Sequence, residues 1–263
     1  MTSTAGAPAS ASEAGISLVD VGRAFGPTVA VSGVSLTVPL HGHLSVIGPS
    51  GCGKSTLLNV ISGLDDPDEG TVDVLGATSP ADRLRRCAWM PQRDLLLPWR
   101  DVLGNAALAL ENRGMRRVAA RRQVAPLVAR FGLAGFEDKR PAQLSGGMRQ
   151  RVSFLRTLVA GKEVLLLDEP FGALDSITRA DLQQWLRSAL DAEPRTVVLV
   201  THDVEEALLL GQRVAVLSPR PGRVAAAFDV DPAIVEGGRR EILRSPEFAG
   251  LRDEILSVLE AVT

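Results

Sequence analysis

The stretch from Gly48 to Thr56 constrains the fold of this chain more than any other part of the sequence. It fits the pattern Gly-x-x-x-x-Gly-Lys-Ser/Thr, and it lies between a short apolar run and a helical pattern, which is the strand–loop–helix context that the motif needs. Glycines allow positive φ, so successive N–H groups can point inward and, together with the helix N-terminus, form a site for phosphate groups. We call this segment the phosphate loop, and its candidate ligand contacts are Gly48, Pro49, Ser50, Gly51, Cys52, Gly53, Lys54, Ser55 and Thr56.

Two side chains of the phosphate loop predict its chemistry. Lys54 adds a point charge for the β- and γ-phosphates of a nucleotide, and the hydroxyl of Ser55 can ligate Mg²⁺. The sequence therefore predicts a nucleotide site that uses a magnesium ion.

Composition narrows the setting in which such a site works. The 263 residues, 45% of them hydrophobic, suit one large α/β domain, alone or with a small appended domain. The net charge of −2 gives no basic field, so nucleic acid is not an expected partner. The only cysteines, Cys52 and Cys87, predict a reducing cytoplasm rather than a disulfide framework.

Hydropathy predicts a soluble chain. No apolar run approaches the roughly 20 residues that span a bilayer, and the start of the chain lacks the basic and apolar regions of a signal peptide. We therefore expect any membrane role to come through a partner.

The periodicity along the chain predicts an α/β fold. Residues 16–21 alternate, and residues 29–38 give a further strand that ends at Pro39, which predicts an N-terminal antiparallel β subdomain. Phe25 lies between these strands and could stack on a base or pack as an ordinary edge residue. Further strands are predicted at 44–47, 71–75, 87–90, 164–170, 196–200, 213–217 and 222–228.

The sequence changes character over residues 101 to about 135, after an apolar stretch at 93–100. The proline-broken apolar stretch 93–100 would be a contact site if exposed, or a loop folded onto the core. Apolar periodicity then predicts helices from 101 and over 116–131, and no strand signal interrupts them. We expect a helical subdomain inserted into the α/β core, with the arginines at 116, 117, 121 and 122 as a solvated basic face.

Three further segments carry candidate functional side chains. Ser145 is a good N-cap before two glycines, which would make a second anion site, although a Ser-Gly-Gly turn alone is weak evidence. Asp168 and Glu169 end an apolar strand, where Asp168 is placed to bind Mg²⁺ and Glu169 to activate an attacking water. His202 ends another strand and could donate to a γ-phosphate, although a lone histidine is more often structural.

These motifs together resemble the ATPase subunit of an ABC transporter. The phosphate loop, Gln92, the Leu-Ser-Gly-Gly-Met signature at 144–148, Asp168-Glu169, the Ala-Leu-Asp at 173–175 and His202 occur in the order typical of that family. The resemblance covers about 16–229. It implies an α/β P-loop NTPase core with a mostly parallel sheet, an N-terminal antiparallel β subdomain and an inserted helical subdomain.

The resemblance also implies a role for each matching residue. Phe25 would stack on the adenine of ATP, and Gln92 would approach Mg²⁺ and the attacking water. Glu169 would be the general base, with His202 as the γ-phosphate contact and Ser55 and Asp168 beside the metal. The signature residues and one aspartate would serve a dimer, with a second subunit's γ-phosphate bound by Ser145, Gly146 and Gly147 and with Asp175 at the interface.

Finer features are similar to the nitrate, sulfonate and taurine importers and to importers of thiamine precursors. They are the Gln-Arg-Asp-Leu-Leu-Leu-Pro-Trp at 92–99, the Phe-Gly-Ala-Leu-Asp at 171–175 and the Ser-Pro-Arg-Pro-Gly-Arg at 218–223. Such a subunit would act as a homodimer or with a paralogue, at the cytoplasmic face of the membrane, with a permease and an external solute-binding protein.

The domain boundaries follow from this resemblance. We expect a disordered lead-in at 1–15, an ATPase domain at 16–235 that contains the helical subdomain at about 93–160, and a helical tail at 236–263. The alternatives are a soluble ABC ATPase without a transport role, a catalytically silent regulatory module and an unrelated P-loop kinase. The last of these would not explain the signature at 144–150.

Overall fold

The computed structural model describes residues 14–262, so the predicted lead-in lies outside the described residues except for Ala14 and Gly15, which already belong to the first strand. The strands, in chain order, are β1 (Ala14–Phe25), β2 (Thr28–Pro39), β3 (His43–Ile47), β4 (Glu69–Val74), β5 (Cys87–Met90), β6 (Val164–Asp168), β7 (Thr196–Val200), β8 (Arg213–Leu217) and β9 (Val224–Asp229).

Helices alternate with these strands along most of the chain. The α-helices are α1 (Lys54–Ser62), α2 (Pro80–Arg86), α3 (Val102–Ala106), α4 (Leu108–Asn112), α5 (Arg117–Val128), α6 (Gly146–Val159), α7 (Ser176–Ala192), α8 (Val204–Leu210), α9 (Arg239–Ile242) and α10 (Pro246–Val262). A π-helical turn, Ala129–Leu133, continues α5, and short 3₁₀ turns cover Pro141–Gln143 and Pro232–Val235. No helix within residues 14–262 is both long enough and apolar enough to cross a membrane.

The chain divides into two compact units. The first contains the residues before 87 and those from 195 onward, and the second contains 87–194. In the first unit, β2, β1 and β4 form an antiparallel sheet, as predicted for the N-terminal region. A second set of strands has the order β7-β3-β8-β9, in which β3 runs parallel to both of its neighbours and only β9 is antiparallel.

The buried strands of the first unit explain its mostly parallel arrangement. β7 is buried along its whole length, and apolar residues of β3 are buried as well, so neither strand needs the alternation of a sheet with one wet face. The tail packs onto the same unit, because Phe248 and Ile255 are fully buried in a cluster that includes Leu208 and Val216.

The second unit pairs β5 with β6 in parallel and carries α3 to α7. Its apolar interior includes Phe131, Phe154 and Phe171, whose rings meet edge to face at 5.9 Å and 5.5 Å between centroids. The predicted α/β class, with an antiparallel N-terminal sheet, a mostly parallel sheet and a run of helices, is therefore confirmed.

The predicted basic face of α5 is only partly solvated. Arg116, Arg117 and Arg122 are exposed, but Arg121 reaches back and bonds both carboxylate oxygens of Asp101 at 2.6 and 2.9 Å. Asp101 also caps α3, because it accepts from the N–H of Gly104 at 2.7 Å. Arg121 therefore forms an ion pair that connects α5 to the start of α3, and it is not part of a solvated face.

Candidate functional site

The phosphate loop follows β3, which lies between two parallel neighbours in the first unit. Gly48, Gly51 and Gly53 have φ values of 155°, 75° and 104°, so the predicted positive φ is confirmed at all three positions. A Cβ on Gly53 would lie 2.6 Å from a methyl carbon of Val31, and one on Gly48 would lie 2.7 Å from the Leu217 oxygen. Close packing therefore adds to the conformational need for glycine at these two positions.

The start of α1 presents open N–H donors. Its N-cap is Gly53, and no side chain caps the helix, so the first-turn N–H groups keep their capacity to bind an anion. Lys54 is buried, and its Nζ donates to the oxygens of Gly48 and Pro49 at 2.7 and 2.9 Å. Ser55 is exposed on the same turn. The loop thus holds an ammonium group and a hydroxyl beside unfilled backbone donors.

His202 is carried to the same edge of the sheet by strand pairing. β7 runs parallel to β3 with Val200 opposite Val46, and the N–H of Thr201 donates to the Val46 oxygen at 3.2 Å. His202 comes next and is exposed, while the phosphate loop begins two residues after Val46. Both segments therefore leave the sheet at the carboxyl ends of adjacent strands, where ligands bind in open α/β sheets.

Phe25 ends β1, two residues after Arg23. Its ring is 47% exposed, and the guanidinium of Arg23 lies 4.9 Å from the ring centroid. Arg23 is paired with Val31 of β2, and Val31 packs against Gly53 of the loop. The placement agrees with an aromatic contact to a nucleotide base, which remains a prediction.

In the second unit, the register of two strands brings Gln92 and Glu169 together. Met90 of β5 pairs with Leu167 of β6, and each functional side chain follows two residues later. The Nε2 atom of Gln92 donates to Oε2 of Glu169 at 3.2 Å. Asp168, at the end of β6, is only 3% exposed, and Glu169 adopts a left-handed φ of 48°. A residue other than glycine in that conformation carries strain of the kind found at functional sites.

The signature forms the start of α6, as predicted. The hydroxyl of Ser145 accepts from the N–H of Met148 at 3.3 Å, which makes it the N-cap. Ser145 and Gly146 are exposed, whereas a Cβ on Gly147 would lie 3.3 Å from the oxygen of Ala173. One glycine is therefore open to an approaching group, and the other packs against the segment before Asp175.

Polar contacts also hold the segments that carry Glu169 and Asp175. The side chain of Gln150 donates to the backbone oxygen of Glu169 at 3.3 Å. Asp175 caps α7 through the N–H of Thr178 at 3.0 Å, and this backbone hydrogen bond is the main cause that lowers the pKa of Asp175. The carboxylate of Asp175 is therefore ionised at neutral pH and exposed at the surface of the unit.

Sequence reasoning missed two arginines of α6 that hold the stretch after Gln92. Arg149 donates from Nε to the carboxylate of Asp94 at 2.9 Å. Arg156 donates to the backbone oxygens of Asp94 and Leu95, both at 2.8 Å. Burial lowers the pKa of Arg156, and the charge of Asp94 opposes that effect. No local motif announces these contacts, because the partners lie 55 to 62 residues apart.

Taken together, the strand–loop–helix anion site and the acid–amide pair at a strand end are the parts of a P-loop nucleotide-binding protein. Comparison with known proteins identifies the family within this class. The family model described as ABC transporter matches residues 31–172, just over half of the chain. The chain therefore belongs to the ABC transporter family, as an ATP-binding subunit.

The similarity to individual ATP-binding proteins extends over most of this chain. The chain is 44% identical to the taurine import ATP-binding protein TauB of Rhizobium johnstonii over 90% of this chain and 92% of the relative. It is 47% identical to the aliphatic sulfonates import ATP-binding protein SsuB 1 of Rhodococcus jostii over 78% and 79%. Among solved structures, a dimeric ATP-binding cassette in a post-hydrolysis state with ADP and Pi matches with a TM-score of 0.75 and 29% identity, covering 82% of this chain and 99% of that chain.

Proposed function

We propose that this chain is the ATP-hydrolysing motor subunit of a bacterial importer for a small solute of the nitrate, sulfonate, taurine or thiamine-precursor type. The hydrogen bond between Gln92 and Glu169 carries the proposal. It places a carboxylate and an orienting amide together directly after a buried aspartate, which are the groups that hydrolysis of a phosphoanhydride needs.

The residues of the first unit supply the binding half of the mechanism. The backbone N–H groups of the phosphate loop bind the phosphate oxygens of ATP, and Lys54 transfers its hydrogen bonds from Gly48 and Pro49 to those oxygens. Phe25 stacks on the adenine, and His202 donates a hydrogen bond to the γ-phosphate. These contacts mainly position the substrate, which is the larger part of catalysis in phosphoryl transfer.

The second unit supplies the proton acceptor. Glu169 takes the proton of the attacking water, and the amide of Gln92 orients that water against the carboxylate. The bond from Gln150 to the Glu169 backbone, together with the strained φ at Glu169, fixes the direction of the side chain.

Mg²⁺ fits the donor set. Ser55, Gln92 and Asp168 offer hydroxyl, amide and carboxylate oxygens, which are the hard ligands that Mg²⁺ prefers, and it usually takes few protein ligands beside substrate phosphates. Within the described residues, no group of three or more His, Cys, Asp or Glu side chains could hold a metal ion. When bound, the ion neutralises charge that develops on the phosphate oxygens.

A second copy of the chain, or a paralogue, completes the proposed motor. Ser145, Gly146 and Asp175 are exposed, so they are open to the γ-phosphate and surface of an opposing subunit. The structural relative at TM-score 0.75 is itself described as dimeric. We expect each signature to close onto the nucleotide held by the other subunit, so that closure depends on the γ-phosphate.

The stretch 93–100 is the proposed contact for a permease. Leu95 and Trp99 are 55% and 68% exposed, and apolar side chains of that size at a surface favour a protein contact. The relatives are described as import ATP-binding proteins. The proposal therefore includes a transmembrane permease, an external solute-binding protein and a position at the cytoplasmic face of the membrane, with no nucleic-acid partner.

The decisive experiment compares Glu169→Gln with Glu163→Gln. Glu163 is exposed just before the other end of the same strand, so its substitution controls for the change in charge. Glu169→Gln should lower phosphate release by at least about 10²-fold, the lower range for loss of a general base, and ATP should bind as before. Glu163→Gln should hydrolyse ATP like the wild type. Equal hydrolysis by both variants would remove Glu169 as the base.

The transport role needs a separate test. Purification of the full chain from gently solubilised membranes should recover a multi-span permease, and deletion of the gene should abolish uptake of one of the proposed solutes. Recovery of soluble partners without a permease would support the soluble ABC ATPase and refute the importer.

A further inference from the structure

The segment Ser-Pro-Arg-Pro-Gly-Arg at 218–223 has no role in the mechanism above, although it lies directly on the phosphate loop. We call it the strap. Its Gly222 exchanges two backbone hydrogen bonds with β2, donating to Ala30 at 2.9 Å and accepting from Ser32 at 3.0 Å. Its ends are tied to each other, because the N–H of Ser218 donates to the Arg223 oxygen at 2.9 Å. The strap is therefore a fixed element rather than a loose loop.

The strap contacts two successive carbonyl groups of the phosphate loop from outside. The Nε atom of Arg220 donates to the oxygen of Gly51 at 3.1 Å. Gly222 faces the next carbonyl, since a Cβ on Gly222 would lie 2.1 Å from the oxygen of Cys52. No residue other than glycine fits at position 222 without moving the phosphate loop.

These contacts bear on phosphate binding through the geometry of the peptide group. The C=O and N–H of a trans peptide point in opposite directions, so a carbonyl held on the outside of a loop directs the following N–H to the inside. The bond from Arg220 therefore orients the peptide group that carries the N–H of Cys52, which donates to the Pro49 oxygen at 3.3 Å within the loop. The contact with Gly222 orients the N–H of Gly53. Inward N–H groups are what make such a loop an anion site.

We propose that Arg220 is a positioning residue for nucleotide binding, because its hydrogen bond to the Gly51 carbonyl fixes the phosphate loop in its phosphate-binding conformation. This inference rests on the proposed function, since it concerns the same nucleotide site. Arg220 acts through the loop backbone. A planar guanidinium suits this contact because its Nε–H has a fixed direction.

The chain offers matched variants that separate hydrogen bonding from charge. Arg220→Met removes both the donor and the charge. Arg220→Gln removes the charge but places an amide Nε2 the same number of bonds from Cα as the arginine Nε, so it keeps a donor for the Gly51 oxygen. Arg223→Met is the control, because Arg223 is also exposed on the strap but bonds the hydroxyl of Ser32 at 3.0 Å instead of the phosphate loop.

The experiment measures ATP and ADP binding to the purified full chain by titration calorimetry, and steady-state ATP hydrolysis in parallel. Arg220→Met should weaken binding of both nucleotides by about fivefold or more, as expected for loss of one hydrogen bond. It should raise KM with little change in kcat, because the loop contacts the phosphates in the ground state and the transition state alike. Arg220→Gln and Arg223→Met should bind within about twofold of the wild type.

Each other result overturns the inference in a distinct way. Wild-type affinity in Arg220→Met would show that the hydrogen bond has no role in binding. Equal losses in Arg220→Gln and Arg220→Met, or in Arg223→Met and Arg220→Met, would assign the effect to charge instead of loop geometry. Absence of nucleotide binding by the wild type would refute the proposed function itself.

Folding is checked by melting temperature, which should be nearly the same for all the variants because Arg220 is exposed. If Arg220→Met did not fold, Arg220→Ala would replace it in the comparison with Arg220→Gln. A loss in Arg220→Ala that matched a loss in Arg220→Gln would refute the inference in the same way.

Discussion

Replacing Arg156 with Met tests whether α6 holds the proposed permease contact in its conformation. The guanidinium donates to the backbone oxygens of Asp94 and Leu95, both at 2.8 Å. Two hydrogen bonds from a charged donor contribute about 3 kcal/mol together. Two effects oppose this loss. Burial disfavours the charge of Arg156, as the lowered pKa indicates, and Leu95 is held at a φ of 42°, a left-handed conformation that costs about 1 kcal/mol. We therefore expect a net loss of about 1–2 kcal/mol.

Arg156→Met should lower the stability of the whole fold and should also increase hydrogen exchange close to Leu95. In a chain of this size, 1 kcal/mol shifts the melting temperature by about 2–4 °C, so Arg156→Met should melt a few degrees lower. The N–H of Leu96 donates to Asp94 at 3.2 Å, whereas the N–H of Leu97 donates to the buried Asn105 at 2.8 Å. Hydrogen exchange should therefore accelerate about tenfold at Leu96 and much less at Leu97.

Arg151 provides the matched control on the same helix. It also donates to two backbone oxygens, those of Phe131 and Gly132 at 2.9 and 3.1 Å, and burial lowers its pKa as well. Arg151→Met should lower stability similarly but leave exchange at Leu96 unchanged. If both variants accelerated exchange at Leu96 equally, or neither did, the account of Arg156 as the local anchor would be wrong.

Two further predictions follow from the same kind of geometry. Gly53→Ala should weaken ATP binding more than about tenfold, because its Cβ would lie 2.6 Å from Val31. Gly76→Ala is the control, since Gly76 has a φ of 78° but open space around it, and this variant should bind ATP like the wild type. Equal binding by the two variants would refute the packing argument. Asp101→Asn keeps the cap acceptor of α3 but loses the charge that faces Arg121. Burial raises the pKa of Asp101, but the hydrogen bonds from Arg121 and the Gly104 N–H outweigh it, so the pKa is lowered overall. The charge of Asp101 thus stabilises the fold above its unfolded pKa of about 3.9 and ceases to do so as pH falls through the lower folded value. Urea unfolding should show a loss of about 1–2 kcal/mol at pH 7 that shrinks in strong acid, and an equal loss at both pH values would contradict the ion-pair account.

The fold and most of the candidate site could be predicted because their signals are local. The phosphate loop needs glycines at fixed positions, and their positive φ values follow from the same pattern. Apolar periodicity does not predict the two short helices α2 and α8, because seven residues are too few to show a helical repeat. Each of them nevertheless begins beside a capping side chain. Ser79 accepts from the N–H of Asp82 before α2, and Asp203 accepts from the N–H of Glu206 at the start of α8. Those capping patterns were the available signal.

The contacts that could not be predicted join residues far apart in the sequence. Arg220 and Gly51 are 169 positions apart, and Arg156 and Asp94 are 62 positions apart. A charge pattern alone cannot assign such partners. The pattern predicts Arg121 as one of four solvated arginines, whereas the structure shows that Arg121 bonds Asp101. The acceptors are mostly backbone oxygens, which carry no residue signature at all.

Arginine side chains bond backbone oxygens in segments that carry predicted functional residues. Four segments have a backbone oxygen bonded by an arginine: Gly51 by Arg220, Asp94 and Leu95 by Arg156, Leu144 by Arg149, and Leu174 by Arg179. Each acceptor lies within three residues of a predicted functional residue. Lysine could not reproduce these contacts, because it has one rotatable ammonium in place of several N–H groups in a fixed plane. Arginine therefore holds the backbone of each of these segments through a carbonyl oxygen that lies close to a predicted functional residue.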